Sequence, residues 1–252
     1  MLPNIPVPKL MMSSNSTASP PLPTVTGKHL ITVFAIGGLG LIVLYFTYPL
    51  LVRQGALEWI APARADIVAG FIAYAVFLAA CWIFVVRTAT NGWASVGLRR
   101  CDPSLFWIGG FLACLWIGVS SALYAALGIW ELALAAGASL IAPFRDDPVA
   151  MTGLFILAGP MAALVEEILF RGLLYGWLRQ RMGIAVSAIV SALLFTAAHF
   201  YVFVAGIAFA VEMAVLAVLL ALLYELSRSL WPGILAHALN NVLLLTLYLY
   251  QG

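Results

Sequence analysis

Residues 149–179 read VAMTGLFILAGPMAALVEEILFRGLLYGWLR. The apolar run Met151–Val165 is followed by Glu166-Glu167, and apolar residues resume at Ile168-Leu169-Phe170. A helix that crosses a bilayer needs about 20 mostly apolar residues, and this stretch is long enough. Ionisable side chains inside such a helix are costly in hydrocarbon and are usually functional. The same residues therefore predict a membrane fold and place two carboxylates within it.

Outward from this stretch the pattern repeats. Upstream, apolar runs cover about Leu30–Val52, closed by Arg53, then Ile67–Val86, bracketed by Asp66 and Arg87, then about Leu105–Ile129. Polar turns divide them, including Arg99-Arg100-Cys101-Asp102-Pro103 and Arg145-Asp146-Asp147-Pro148. Downstream, Ile184–Leu226 is long enough for two spans, with a break expected near Gly206. A last span runs from Trp231-Pro232 to Tyr250, with proline suited to a helix start. Glu131–Ala142 has the length of a short interfacial helix. The expected fold class is all-α, a polytopic helical membrane protein of about seven or eight transmembrane helices.

Composition agrees. Of 252 residues, 64% are hydrophobic and 9% charged, with a mean hydropathy of +1.08. Soluble domains carry roughly 25% charged residues, so soluble-enzyme and nucleic-acid-binding classes are excluded, as is disorder. Outer-membrane barrels alternate apolar and polar residues, unlike these continuous runs. Cys81, Cys101 and Cys114 show no paired spacing for disulfides or a thiolate metal site. Trp59, Trp93, Trp130 and Trp231 fit an aromatic belt at the interfaces.

Residues 1–28 are rich in Pro, Ser and Thr and carry no apolar signal-peptide core, so they read as a flexible tail. Residues 29–145 are expected to form N-terminal transmembrane helices, and 146–252 a transmembrane core that holds the intramembrane polar residues. Counting Lys and Arg by side, eight (Lys9, Lys28, Arg87, Arg99, Arg100, Arg179, Arg181, Arg228) against three (Arg53, Arg64, Arg145) place the N-terminus inside.

The intramembrane polar residues form pairs. Residues four apart share a helix face. Glu167 and Arg171 are such a pair, in the favourable acid-first order, and read first as structural. Glu166 points about 100° away and lacks that partner. Phe195 and His199 share a face, as do His237 and Asn241. If helices flanking Met182-Gly183 form a hairpin, Glu166 and His199 are equidistant from its turn. At equal rise per residue their side chains meet at one depth, where a carboxylate and an imidazole can activate water. Each alone also has a bland reading, as a packing histidine or an interhelical asparagine. Three other membrane-protease chemistries lack their motifs: neither His199 nor His237 is followed by Glu, every Asp lies in a loop, and Gly118-Val119-Ser120-Ser121 lacks a closing glycine.

Glu166-Glu167-x-x-x-Arg171, Phe195-x-x-x-His199 and His237-x-x-x-Asn241, with Gly172-Leu173-Leu174-Tyr175 continuing the first, resemble the CPBP family. This family groups CAAX proteases and bacteriocin-processing proteins, with the type II CAAX prenyl endopeptidase as its eukaryotic member. The resemblance covers about residues 150–245. It implies a glutamate-dependent intramembrane endopeptidase: Glu166 and His199 activating water, His237 and Asn241 stabilising the oxyanion, and Glu167, Arg171 and Phe195 in support. A neutral histidine and an amide suit such a donor pair. No cofactor is expected; the alternative is zinc held by Glu166, His199 and His237 with an open position, though asparagine is a better oxyanion donor than zinc ligand. The expected partners are the lipid bilayer and a membrane-anchored protein or peptide substrate, with no nucleic acid. The expected location is the inner (cytoplasmic) membrane of a bacterium. A non-catalytic immunity or scaffold protein of the same fold, and a proton- or ion-coupled transporter, remain as alternatives.

Overall fold

The computed structural model describes residues 25–199, 202 and 206–251. The expected tail lies outside these up to residue 24. Its last residues are ordered: Val25 is buried, and Thr26 caps the first helix by accepting from the backbone N–H of His29 at 3.2 Å. The helices are α1 (Gly27–Arg53), α2 (Pro62–Phe84), α3 (Pro103–Ala126), α4 (Trp130–Ile141), α5 (Pro148–Arg179), α6 (Ile184–Ala198), α7 (Ile207–Ser227) and α8 (Trp231–Gln251). Among the described residues there is no strand. Among the described residues six helices are long and apolar enough to cross a membrane, and α4 and α6 are shorter apolar helices. The chain is a polytopic helical membrane protein.

Local chemistry explains the helix starts. Asp102 caps α3 through Ser104 N at 2.8 Å, with Pro103 in the first turn. Asp147 caps α5 through Val149 N and Ala150 N, with Pro148 following. Side-chain acceptors satisfy orphan N–H groups at these positions, and proline has none to satisfy. The break expected near Gly206 is present, with a φ of +136° ahead of α7.

The bundle is apolar outside and partly polar inside, as hydrocarbon solvent demands. Tyr45, Phe46, Trp107 and Phe111 are exposed on α1 and α3, where lipid chains cover them. In α5, residues 165–176 are all buried. A helix buried all round must be surrounded by others, so α5 is the centre on which the site is built. It is not a regular α-helix: Leu157–Met161 and Glu167–Tyr175 are π-helical. Pro160 lies in the first of these segments, and proline removes a helix hydrogen bond and clashes with the preceding turn. Such wide turns concentrate at functional sites.

Contacts sort the loops onto two ends. At one end, Gln180 donates to the Val25 carbonyl, Arg179 pairs with Glu225 at 3.0 Å, and Arg99 donates to the Arg228 carbonyl. At the other, Arg64 pairs with Asp147 at 2.7 Å and Arg145 reaches the Tyr248 carbonyl. The first end is the one to which the Lys/Arg count assigns the inside.

Close helix approach occurs where side chains are absent. A Cβ on Gly109 of α3 would lie 2.2 Å from the Pro232 carbonyl oxygen of α8. One on Gly172 of α5 would lie 2.4 Å from the Val96 carbonyl oxygen.

Candidate active site

The turn 180–183 joins α5 to α6 and makes them a hairpin. With 15 residues, α6 is about 22 Å long, short of the roughly 30 Å hydrocarbon layer. His199, at its C-terminal cap, is therefore held within the membrane rather than at the far surface. Its Nε2 lies 3.5 Å from Oε2 of Glu166, matching the depth argument made from spacing. From α8, His237 Nε2 lies 3.8 Å from the same oxygen. Glu166, His199 and His237 thus converge.

The other ring nitrogens are committed. His199 Nδ1 is 2.8 Å from the Phe195 carbonyl, and His237 Nδ1 is 3.0 Å from Oε1 of Glu167. A carbonyl and a carboxylate only accept, so both Nδ1 atoms carry hydrogen. Neutral rings then turn Nε2 lone pairs toward Glu166 Oε2. With Nδ1 holding the hydrogen, Nε2 of His237 donates only from an imidazolium.

Glu167 is more than half of a structural pair. Its Oε1 meets Arg171 NH1 at 2.9 Å and His237 at 3.0 Å, and all three residues are nearly or fully buried. Arg171 also donates to the Ala217 carbonyl at 3.1 Å and lies 4.7 Å from the Phe195 ring centre. Phe195 stacks tilted against His199 at 4.5 Å and edge-on to Phe170 at 5.0 Å. Its ring thus touches both the guanidinium and the imidazole. Two carboxylates and one guanidinium leave this buried cluster with one negative charge; one further proton shared by Glu166 and the imidazoles balances it.

Asn241 lies one turn beyond His237 and is placed differently from the three converging groups. Its amide donates to the Ala158 carbonyl at 2.8 Å, in the first π-helical segment, and its oxygen accepts from Asn240 at 3.3 Å. An amide has two N–H groups, and the Ala158 carbonyl takes one of them.

Tyr74 of α2 did not stand out in the sequence, yet its hydroxyl donates to Glu166 Oε1 at 2.8 Å. The signal was there: Ile67, Gly70 and Tyr74 lie on one helix face, and only Tyr74 carries a polar tip into the middle of that span.

The zinc alternative would draw on Glu166, His199 and His237, the three side chains that converge here.

Comparison with known proteins follows the motifs. Residues 148–243 match the family described as Rce1-like, type II CAAX prenyl endopeptidase. The resemblance carried by the three motifs holds over that stretch, which includes Glu166, Glu167, Arg171, Phe195, His199, His237 and Asn241 and excludes Tyr74. No curated protein and no solved structure gives a match.

Proposed function

From that match, we propose that the chain is a glutamate-dependent intramembrane endopeptidase that cleaves a membrane-anchored protein or peptide. The observation that carries the reading is the approach of His199 Nε2 to Glu166 Oε2 at 3.5 Å, with His237 Nε2 at 3.8 Å from the same oxygen. A water about 2.8 Å from each member of the Glu166–His199 pair, an ordinary hydrogen-bond length, sits at the apex of a triangle on that base. It donates to the carboxylate and to the imidazole lone pair, so its own lone pair is free to attack.

Glu166 takes the water proton as the oxygen bonds to the scissile carbonyl carbon. The carbonyl π electrons move to its oxygen. The resulting oxyanion accepts from Nε2–H of protonated His237 and from the second N–H of Asn241. When the C–N bond breaks, its electron pair goes to nitrogen, and Glu166 returns the proton to the leaving amine. Glu167, itself held by Arg171, keeps the His237 imidazolium charge-paired. No metal enters these steps. Apolar surroundings strengthen each electrostatic contact.

The basic end of the bundle, carrying Lys28, Arg99, Arg179 and Arg228, is the cytoplasmic side in this reading, and the membrane is a bacterial inner membrane. The test uses the full-length protein in nanodiscs with a prenylated peptide ending in a CAAX tetrapeptide and a panel of membrane-anchored peptides, products identified by mass spectrometry. Cleavage by wild type and none by Glu166→Gln supports the reading. Cleavage by Glu166→Gln at the wild-type rate overturns it.

A further inference from the structure

We infer that Tyr74 is a positioning residue for Glu166: its hydroxyl holds one carboxylate oxygen so that the other is presented to the two histidines. The inference rests on the reading of Glu166 as the water-activating base. Tyr74 comes from α2, in the half of the chain that carries none of the three motifs and lies outside the family match.

The geometry divides the carboxylate. Oε1 accepts from Tyr74 at 2.8 Å, whereas Oε2 faces His199 at 3.5 Å and His237 at 3.8 Å. The last torsion of a glutamate is broad and roughly two-fold, so an unheld carboxylate samples many orientations. A donor fixed on one oxygen narrows that motion. A phenol is neutral near pH 7 and remains a donor while Glu166 gains and loses its proton.

The placement of Tyr74 is rigid. Ile67 and Gly70, on the same face of α2, lie against Gly153 and Leu157 of α5: a Cβ on Gly70 would be 2.5 Å from Leu157 Cδ2, and one on Gly153 would be 2.7 Å from Ile67 Cγ2. The Arg64–Asp147 pair at 2.7 Å ties the same two helices at their N-terminal ends. The N-terminal half therefore supplies a hydrogen bond to the reacting carboxyl as well as a wall.

The test has a readout that needs no substrate. Infrared difference spectra between wild type and Glu166→Gln isolate the Glu166 carboxyl bands. Tyr74→Phe keeps the ring and removes the hydroxyl, and is expected to shift those bands. Incorporating 3-fluorotyrosine at position 74 keeps both ring and hydroxyl, alters only donor strength, and is expected to shift them less, so the test survives if Tyr74→Phe folds poorly. With a peptide that wild type cleaves, Tyr74→Phe should lower kcat about 10–100-fold, the span for one hydrogen bond to a charged group, with KM within about twofold. Unshifted bands in both variants, or a wild-type kcat in folded Tyr74→Phe while Glu166→Gln is inactive, overturns the inference and leaves the glutamate reading standing. Wild-type cleavage by Glu166→Gln removes that reading itself.

Discussion

Nδ1 of His237 lies 3.0 Å from Oε1 of Glu167, and this contact turns Nε2 of the ring toward Glu166. Because the carboxylate only accepts, Nδ1 holds the hydrogen and Nε2 is left to face Glu166. The second glutamate of the pair thereby holds the Nδ1–H of a histidine 70 positions away. It does so with an oxygen that also lies 2.9 Å from Arg171, so one atom joins the ion pair to the imidazole.

Glu166→Gln and His199→Ala should each reduce cleavage by at least the 10²–10⁴-fold typical of general acid–base catalysis. Groups that act as one unit are not additive. The double variant should therefore be little worse than either single one, as measured by turnover with membrane insertion controlled.

Removing one member of a buried ion pair typically costs about 3–5 kcal/mol. Arg171→Met alone should deplete folded protein in the membrane, because the Glu167 charge is left buried. The double variant Glu167→Gln/Arg171→Met should restore insertion but not turnover, since His237 then lacks its charged partner. Recovery of both yield and activity would show that Glu167 is structural only.

Asn241→Ala should keep residual activity, with a loss of about 10²–10³ in rate, the worth of one oxyanion donor. A rate equal to wild type would mean that the amide serves only the Ala158 carbonyl.

Outside the membrane-spanning segments, the hydrogen bond from Arg64 to Asp147, aided by the backbone N–H of Ala150, holds the Asp147 carboxyl below the usual carboxylate range. A carboxyl depressed in the folded state stabilises at pH values above its unfolded pKa, and that stability fades as pH falls through the folded value. Asp147→Asn keeps a capping oxygen but removes the charge. Its thermal midpoint should lie below wild type at neutral pH, and the gap should close in acid.

Gly172→Ala should destabilise the fold by about 1–3 kcal/mol, as overpacking does. Its methyl carbon would meet the Val96 carbonyl oxygen at 2.4 Å. Unfolding in mild detergent would reveal the loss.

Much of this was determined by the sequence alone. The absence of polar surface dictated a membrane bundle, because hydrocarbon solvates apolar helices and nothing else in this composition could face water. Four-residue spacing paired Glu167 with Arg171, and equal distances from the turn at Met182-Gly183 set Glu166 level with His199. Both readings assume a regular helix, whose rise and handedness are local properties. Tertiary structure decided the rest. The acceptor that meets Nδ1 of His237 is brought by another element, Glu167 of α5, whereas His199 finds the Phe195 carbonyl four residues back on its own helix. The two π-helical segments of α5 depart from the regular period that spacing assumes. Tyr74 reaches Glu166 across 92 positions, a contact no periodicity encodes, because it arises only where α2 lies on α5 along Gly70 and Gly153.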